Sequence, residues 1–268
     1  MPPGSEPAAS TRDEALSRRG LLLAVAGVGT ATTLAGCGAI STYEFGAAPV
    51  VLPRRSRRRL GFEETLREPV TDERSRIVGG VQVQATVESH VAVYEPTLRT
   101  GRGDSPGSDG RRGAVTPSVG VVSTPRAAVL GRSFNPLARL SLPNLLTSDV
   151  AGGFLRRAGL DRVGEPREKV WWERGPAFLA DHECTCVGAP ATIESYAGVL
   201  GGDPATVAFV HLARVTARSV VLVAAVHGRT VEDLGAPFVG PAGYLSRDEF
   251  GEVVSTVADV CGALRYVG

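Results

Sequence analysis

The stretch Ser219-Val220-Val221-Leu222-Val223-Ala224-Ala225-Val226 is apolar on both faces of an extended chain. Such a strand is stable only with neighbours on either side and cover above and below, so it predicts the centre of a sheet. Residues 206–215 form a second strong strand, and Thr216-Ala217-Arg218 is short enough to make the two a hairpin. Upstream, Val81, Val83, Ala85 and Val87 alternate with Gln82, Gln84, Thr86 and Glu88, the period of a half-buried strand. Residues 91–94 extend it past Ser89-His90. Further strands are predicted over about 114–123, at 126–129, and near 170–172, 177–186 and 191–197.

Two segments carry helical spacing instead. Leu145, Leu146, Val150, Phe154 and Leu155 recur within about 141–160, weakened by Gly152-Gly153. Phe250, Val253, Val257, Val260, Cys261 and Leu264 line one face of 246–266, where Ser246 and Glu249 have capping-box spacing. The expected class is therefore α+β: a Val-rich, mainly antiparallel sheet packed by at least two helices, about 141–160 and 246–266. With 43% hydrophobic and 21% charged residues in 268, the chain can bury one core of ordinary size. Residues 61–268 read as that single domain. It is interrupted at 100–113 by a flexible loop with five Gly, Pro106, two Ser and two Asp.

The first 36 residues have a different character. Ser17-Arg18-Arg19-Gly20-Leu21-Leu22 matches a twin-arginine export signal. The apolar run from Leu21 to Leu34 is shorter than the roughly 20 residues of a membrane span, but it fits a signal-peptide core. Leu34-Ala35-Gly36-Cys37 follows with the form of a lipobox: small residues admit a peptidase, and the Cys37 thiol takes a diacylglycerol thioether. This predicts a signal peptide over 1–36 and export as a folded protein. It also predicts a lipid on Cys37 that holds the mature chain to the extracellular face of the cell membrane. Residues 37–60 read as a tether. Arg54, Arg55, Arg57, Arg58 and Arg59 would lie on anionic headgroups at about 1 kcal/mol each, or form a solvated charge run. A formal net charge of +1 provides no field for nucleic acid.

Chemistry-bearing motifs are sparse. His182, Cys184 and Cys186 alternate, so on a strand they share a face, and imidazole with soft sulfur suits copper(I) or zinc. The spacing is not that of familiar zinc knuckles. The alternative is a disulfide from Cys184 or Cys186 to Cys261, or three buried thiols. His90, His211 and His227 each fall in or beside a strand without a spacing that predicts a catalytic partner. The one Gly-x-Ser-x-Gly match, Gly103-Asp104-Ser105-Pro106-Gly107, falls inside the Gly-rich loop rather than at a strand-to-helix elbow, and there is no phosphate loop, since Lys169 is the one lysine. Arg102-Gly103-Asp104 is a chance match to an adhesion tripeptide. Trp171-Trp172 would point to opposite faces of a strand. No catalytic residue and no cofactor are expected.

Several stretches together carry a resemblance: the twin-arginine lipobox leader, Gly61-Phe62-Glu63, Val81-Gln82-Val83 running to Tyr94, and Ser123-Thr124-Pro125. Gly131-Arg132-Ser133-Phe134-Asn135-Pro136-Leu137 and Asn144-Leu145-Leu146 complete it. The chain resembles a haloarchaeal family of uncharacterised lipoproteins, DUF6517, over about 60–268. It departs from that family in its low acidic content and in the Gly-rich insertion at 100–113. The resemblance implies an archaeal cell surface and transfers no catalytic residue. The expectation is a surface lipoprotein with a non-enzymatic ligand- or envelope-binding domain. The alternative is a surface hydrolase or metal-handling protein using His182, Cys184 and Cys186.

Overall fold

The computed structural model describes residues 32–33, 40–97, 117–146, 172–200, 206–230 and 247–267. The export signal Arg18-Arg19, Cys37, the loop 100–113 with its Arg102-Gly103-Asp104, Trp171, Ser246 and the part of the expected helix over 147–160 lie outside these residues.

The chain opens with β1 (Thr32–Thr33), β2 (Ile40–Gly46), β3 (Val50–Val51) and helix α1 (Arg54–Leu60). A long hairpin follows, β4 (Phe62–Val78) and β5 (Val81–Pro96), then β6 (Ser118–Thr124) and the small pair β7 (Ala128–Val129) and β8 (Arg132–Ser133). Two short helices, α2 (Pro136–Arg139) and α3 (Leu142–Leu146), precede β9 (Trp172–Cys186), β10 (Ala189–Leu200), β11 (Thr206–Thr216) and β12 (Val220–Thr230). Helix α4 (Arg247–Ala263) and β13 (Arg265–Tyr266) close the described chain.

Nine strands form one sheet in the order β1-β2-β5-β6-β12-β11-β10-β9, with β4 along the other edge of β5. Every pairing in it is antiparallel except β2 with β5, which is parallel. The doubly apolar strand is central as expected. Val221, Val223 and Ala225 of β12 belong to the core beneath α4, while Leu222, Ala224 and Val226 belong to the core on the opposite face. On the first face Val253, Val257 and Val260 of α4, with Leu264 just beyond it, pack on Tyr94, Val121, Ile193, Ala213 and Val223. On the second, Leu137, Leu142, Leu145 and Leu146 close over Tyr196, Val210, Leu212 and Leu222. A third cluster joins Val83, Ala85 and Val87 of β5 to Val129 and Phe134, with Tyr43 and Phe45 of β2 against it.

The expected α+β class is overturned. Strands dominate, and the architecture is closer to a β-sandwich than to a sheet packed by helices. Of the helix expected over about 141–160 the described part is a single turn, Leu142–Leu146, whose leucines plug a sheet face rather than continue as a stripe. Among the described residues α4 alone is long enough to lie across the sheet, and the expected helix over 246–266 ends at Ala263 with the strand β13 beyond it. The largest omission is β4. Its sequence, rich in Glu and Arg, lacks apolar alternation because most of it is exposed at a sheet edge, and its partner β5 supplies the apolar side chains.

Residues 40–60 do not hang as a tether either. Tyr43 and Phe45 pack on the third cluster, and Val50 and Leu52 are buried. The Arg-rich run is helix α1, ended by Gly61 in the left-handed conformation at φ 75° with its N–H on Arg57 O. Helix α1 stands at the base of the long hairpin, where Arg57 pairs with Glu64 at 3.3 Å.

Candidate functional site

The sheet face beneath α4 carries two polar clusters within an otherwise apolar layer. Cross-strand register builds the first. Ser195 of β10 lies opposite His211 of β11, and Phe209 of β11 lies opposite His227 of β12. All four side chains therefore share the α4 face. Ser195 Oγ is 2.9 Å from His211 Nδ1, and His211 Nε2 is 3.3 Å from His227 Nε2. Phe209 stacks on His227 with centroids 4.9 Å apart, and Phe250 of α4 leans on His211 at 5.9 Å.

His211 is completely buried, and Ser195 and His227 are buried beside it. Burial, reinforced by the neighbouring His227, pushes His211 down to a pKa of about 3. A neutral imidazole carries one N–H, so the chain Ser195–His211–His227 has two proton arrangements running in opposite directions. With its two ring nitrogens engaged, and a pKa far below neutrality, His211 is poorly matched to the work of a general base. The Ser–His contact alone resembles half of a hydrolase constellation, but it is sealed from solvent.

The second cluster sits where the end of α4 meets the β9–β10 turn. Cys184 and Cys186 of β9 face α4, as their alternation implies, and share the core beneath it with Cys261. Interaction with the Cys261 thiol draws the half-buried Cys184 thiol below its ordinary range, whereas interaction with Cys184 and Cys186, together with burial, pushes Cys261 up. All three are free thiols. The helix docks closely here: Val187 N–H donates to Cys261 O at 3.4 Å, and a Cβ on Gly262 would stand 3.9 Å from Thr185 O. Val187 adopts φ 50°, a costly conformation for a β-branched residue, as the first residue of the tight Val187-Gly188 turn.

His182 does not join the thiols. It is exposed and pairs across the ladder with Ile193, two residues before Cys184. Among the described residues no group of three or more His, Cys, Asp or Glu is placed to hold a metal ion. His90 lies half-buried on β5, 3.6 Å from Glu88. What the sequence reading missed was the Ser195–His211–His227 chain. Its signal was present as two successive 16-residue intervals across adjacent hairpins, which becomes meaningful only once the strand register is known.

The stretch Gly131–Leu137 proves to be a structural clasp. Asn135 is buried, donates from Nδ2 to Thr124 Oγ1 at 3.0 Å and Pro125 O at 2.5 Å, and accepts Leu137 N–H on Oδ1 at 2.9 Å. It thereby caps α2 ahead of Pro136 and ties that helix to the end of β6. Ser123 Oγ likewise donates to Ala48 O at 2.8 Å and meets Ser219 Oγ at 3.0 Å.

The family described as domain of unknown function DUF6517 matches residues 49–258. No curated protein matches the chain.

Proposed function

The chain belongs to the DUF6517 family, and from that premise we propose that it is an archaeal, haloarchaeal-type surface lipoprotein whose domain binds a ligand or envelope partner without converting it. The leader supports the location: Arg18-Arg19 for export and Cys37 for the lipid, in the required order. Among the described residues no helix is long and apolar enough to cross a membrane.

The observation that carries the non-enzymatic reading is the state of His211. Among the histidines it has the geometry nearest to a base, yet it lies beneath α4 at zero exposure, neutral, with Ser195 and His227 on its two nitrogens. Such a chain orders a packed layer rather than a substrate.

Cell fractionation tests the location. Cys37→Ser is expected to release the protein to the medium or leave an uncleaved precursor, and Arg18→Lys with Arg19→Lys to retain it inside. Wild-type chain that is soluble in the cytoplasm would overturn the reading. Complementation of a deletion strain tests the other half. Ser195→Ala is expected to reverse whatever phenotype the deletion shows, because no nucleophile is lost. A well-folded Ser195→Ala chain that fails to complement would favour a hydrolase.

A further inference from the structure

We propose that the tip of the β4–β5 hairpin is a membrane-docking surface, where Ile77, Val81 and Ile40 enter the lipid headgroup region beside the anchor on Cys37. The inference rests on the lipid-anchor reading and adds to it an orientation for the domain.

Chain length supplies the first argument. Two residues, Gly38 and Ala39, separate Cys37 from Ile40, a reach of about 10 Å. Thr33 pairs with Ser41, so the segment containing Cys37 starts and ends at the same end of β2 in the uncleaved chain. The parallel pairing of β2 with β5 sets Ile40 beside Gln82, and the β4–β5 ladder sets Gln82 beside Ile77. Ile40 and Ile77 thus share one face, two strand spacings or about 10 Å apart. A lipid on Cys37 brings this end of the sheet, and no other, to the bilayer.

The composition of the tip supplies the second. Ile77 is 79% exposed, Ile40 43% and Val81 40%. Exposed Ile and Val at one strand end are costly in water and suited to an interface. The turn between the strands is Gly79-Gly80, at φ 60° and 81°, with no side chain to obstruct approach. From Ser75 to Gln84 the hairpin has no carboxylate, and its one ionisable side chain, Arg76, is exposed. That charge complements anionic headgroups.

The same orientation moves the basic helix away from the lipid. Helix α1 packs near Glu64, whereas the tip begins at Val78, roughly 45 Å further along β4 at strand rise. With the hairpin standing on its tip, Arg54 to Arg59 are held well away from the membrane surface.

Amide hydrogen exchange decides between them. The lipidated chain would be reconstituted in vesicles of phosphatidylcholine and phosphatidylglycerol and compared with the Cys37→Ser chain in solution. Exchange should slow several-fold across residues 76–82 and stay unchanged across 54–60. Ile77→Asp with Val81→Asp, both exposed positions, should restore the solution rate at the tip while the lipid keeps the chain on vesicles. Unchanged exchange at 76–82 in a chain whose mass shows the lipid would overturn the orientation alone. Slowing at 54–60 instead would put the basic helix on the membrane and overturn it too. Slowing at 76–82 in the vesicle-free Cys37→Ser chain as its concentration rises would assign the tip to a second copy. A mass showing no lipid on Cys37 would overturn the anchor and the orientation together.

Discussion

A proton arriving on His211 would be stranded. The ring has no access to water, Phe250 leans on it, and a neighbouring imidazole opposes the charge. The folded chain therefore takes up that proton only near pH 3, while the unfolded chain takes it up at the ordinary value of 6.5. Between those values the unfolded state binds more protons, so stability is full above 6.5 and is lost as pH falls towards 3. The slope from this one site is at most about 1.4 kcal/mol per pH unit. Urea midpoints measured from neutral to acid pH should show that decline, and His211→Gln should flatten it. An unchanged slope in His211→Gln would mean that other groups carry the acid response. The thiols give a second prediction at this scale. Cys184 is half-exposed and acidified, whereas Cys186 and Cys261 are buried. Alkylation of the native Cys37→Ser chain should modify Cys184 well before the other two. Oxidation should link Cys261 to one of its two neighbours, because Cys184 and Cys186, two apart on one strand, are poorly aimed at each other. Mass spectrometry finding three free thiols in the surface-exposed protein would rule the bond out.

Whether an element could be read from the sequence depended on where its apolar partners lie. The strands β5, β11 and β12 carry their own pattern, so Val81 to Val87 and Val220 to Val226 announce themselves. Strand β4 does not, since Glu63, Arg67, Glu73 and Arg76 face solvent along an edge and the stabilising contacts come from β5. The candidate site behaves likewise. The thiols of Cys184 and Cys186 could be placed on one face by alternation, and Cys261 on the buried stripe of α4, whereas Ser195 and His211 meet only through register. The three short strands expected near 170–172, 177–186 and 191–197 are in fact the single hairpin β9–β10, turned by Val187-Gly188. Turn geometry yields a prediction for the other long hairpin. Gly79 and Gly80 both require positive φ in open space, so the cost of a side chain there is purely one of backbone conformation. Gly79→Ala and Gly80→Ala should each destabilise by about 1 kcal/mol, and Gly79→Asn by less, in thermal melts. Equal losses for Ala and Asn would show that the turn is not of this type.

At the level of the whole molecule, the sheet has two faces but one frame. Val223 contributes to the core beneath α4 and its chain neighbours Leu222 and Ala224 to the core beneath α3, so both layers pack on the same strand, β12. The frame is also assembled from distant parts. Val220 pairs with Thr124, and Arg265 pairs with Val51, so the central ladder and the closing strand both join ends far apart in sequence. Such pairings are slow to form, and a chain with this topology should refold over milliseconds to seconds rather than microseconds. The consequence to test is cooperativity. Val257 is at zero exposure under α4 and Leu145 is 3% exposed on the far side. Val257→Ala should cost about 2 kcal/mol and Leu145→Ala about 3 kcal/mol. In the Cys37→Ser chain both should shift one common urea transition, with helical and aromatic circular dichroism signals moving together. A variant that splits the transition, so that the α4 signal is lost at lower urea than the rest, would show that the helix layer is an independent unit. In that case the shared strand β12 would not couple the two faces.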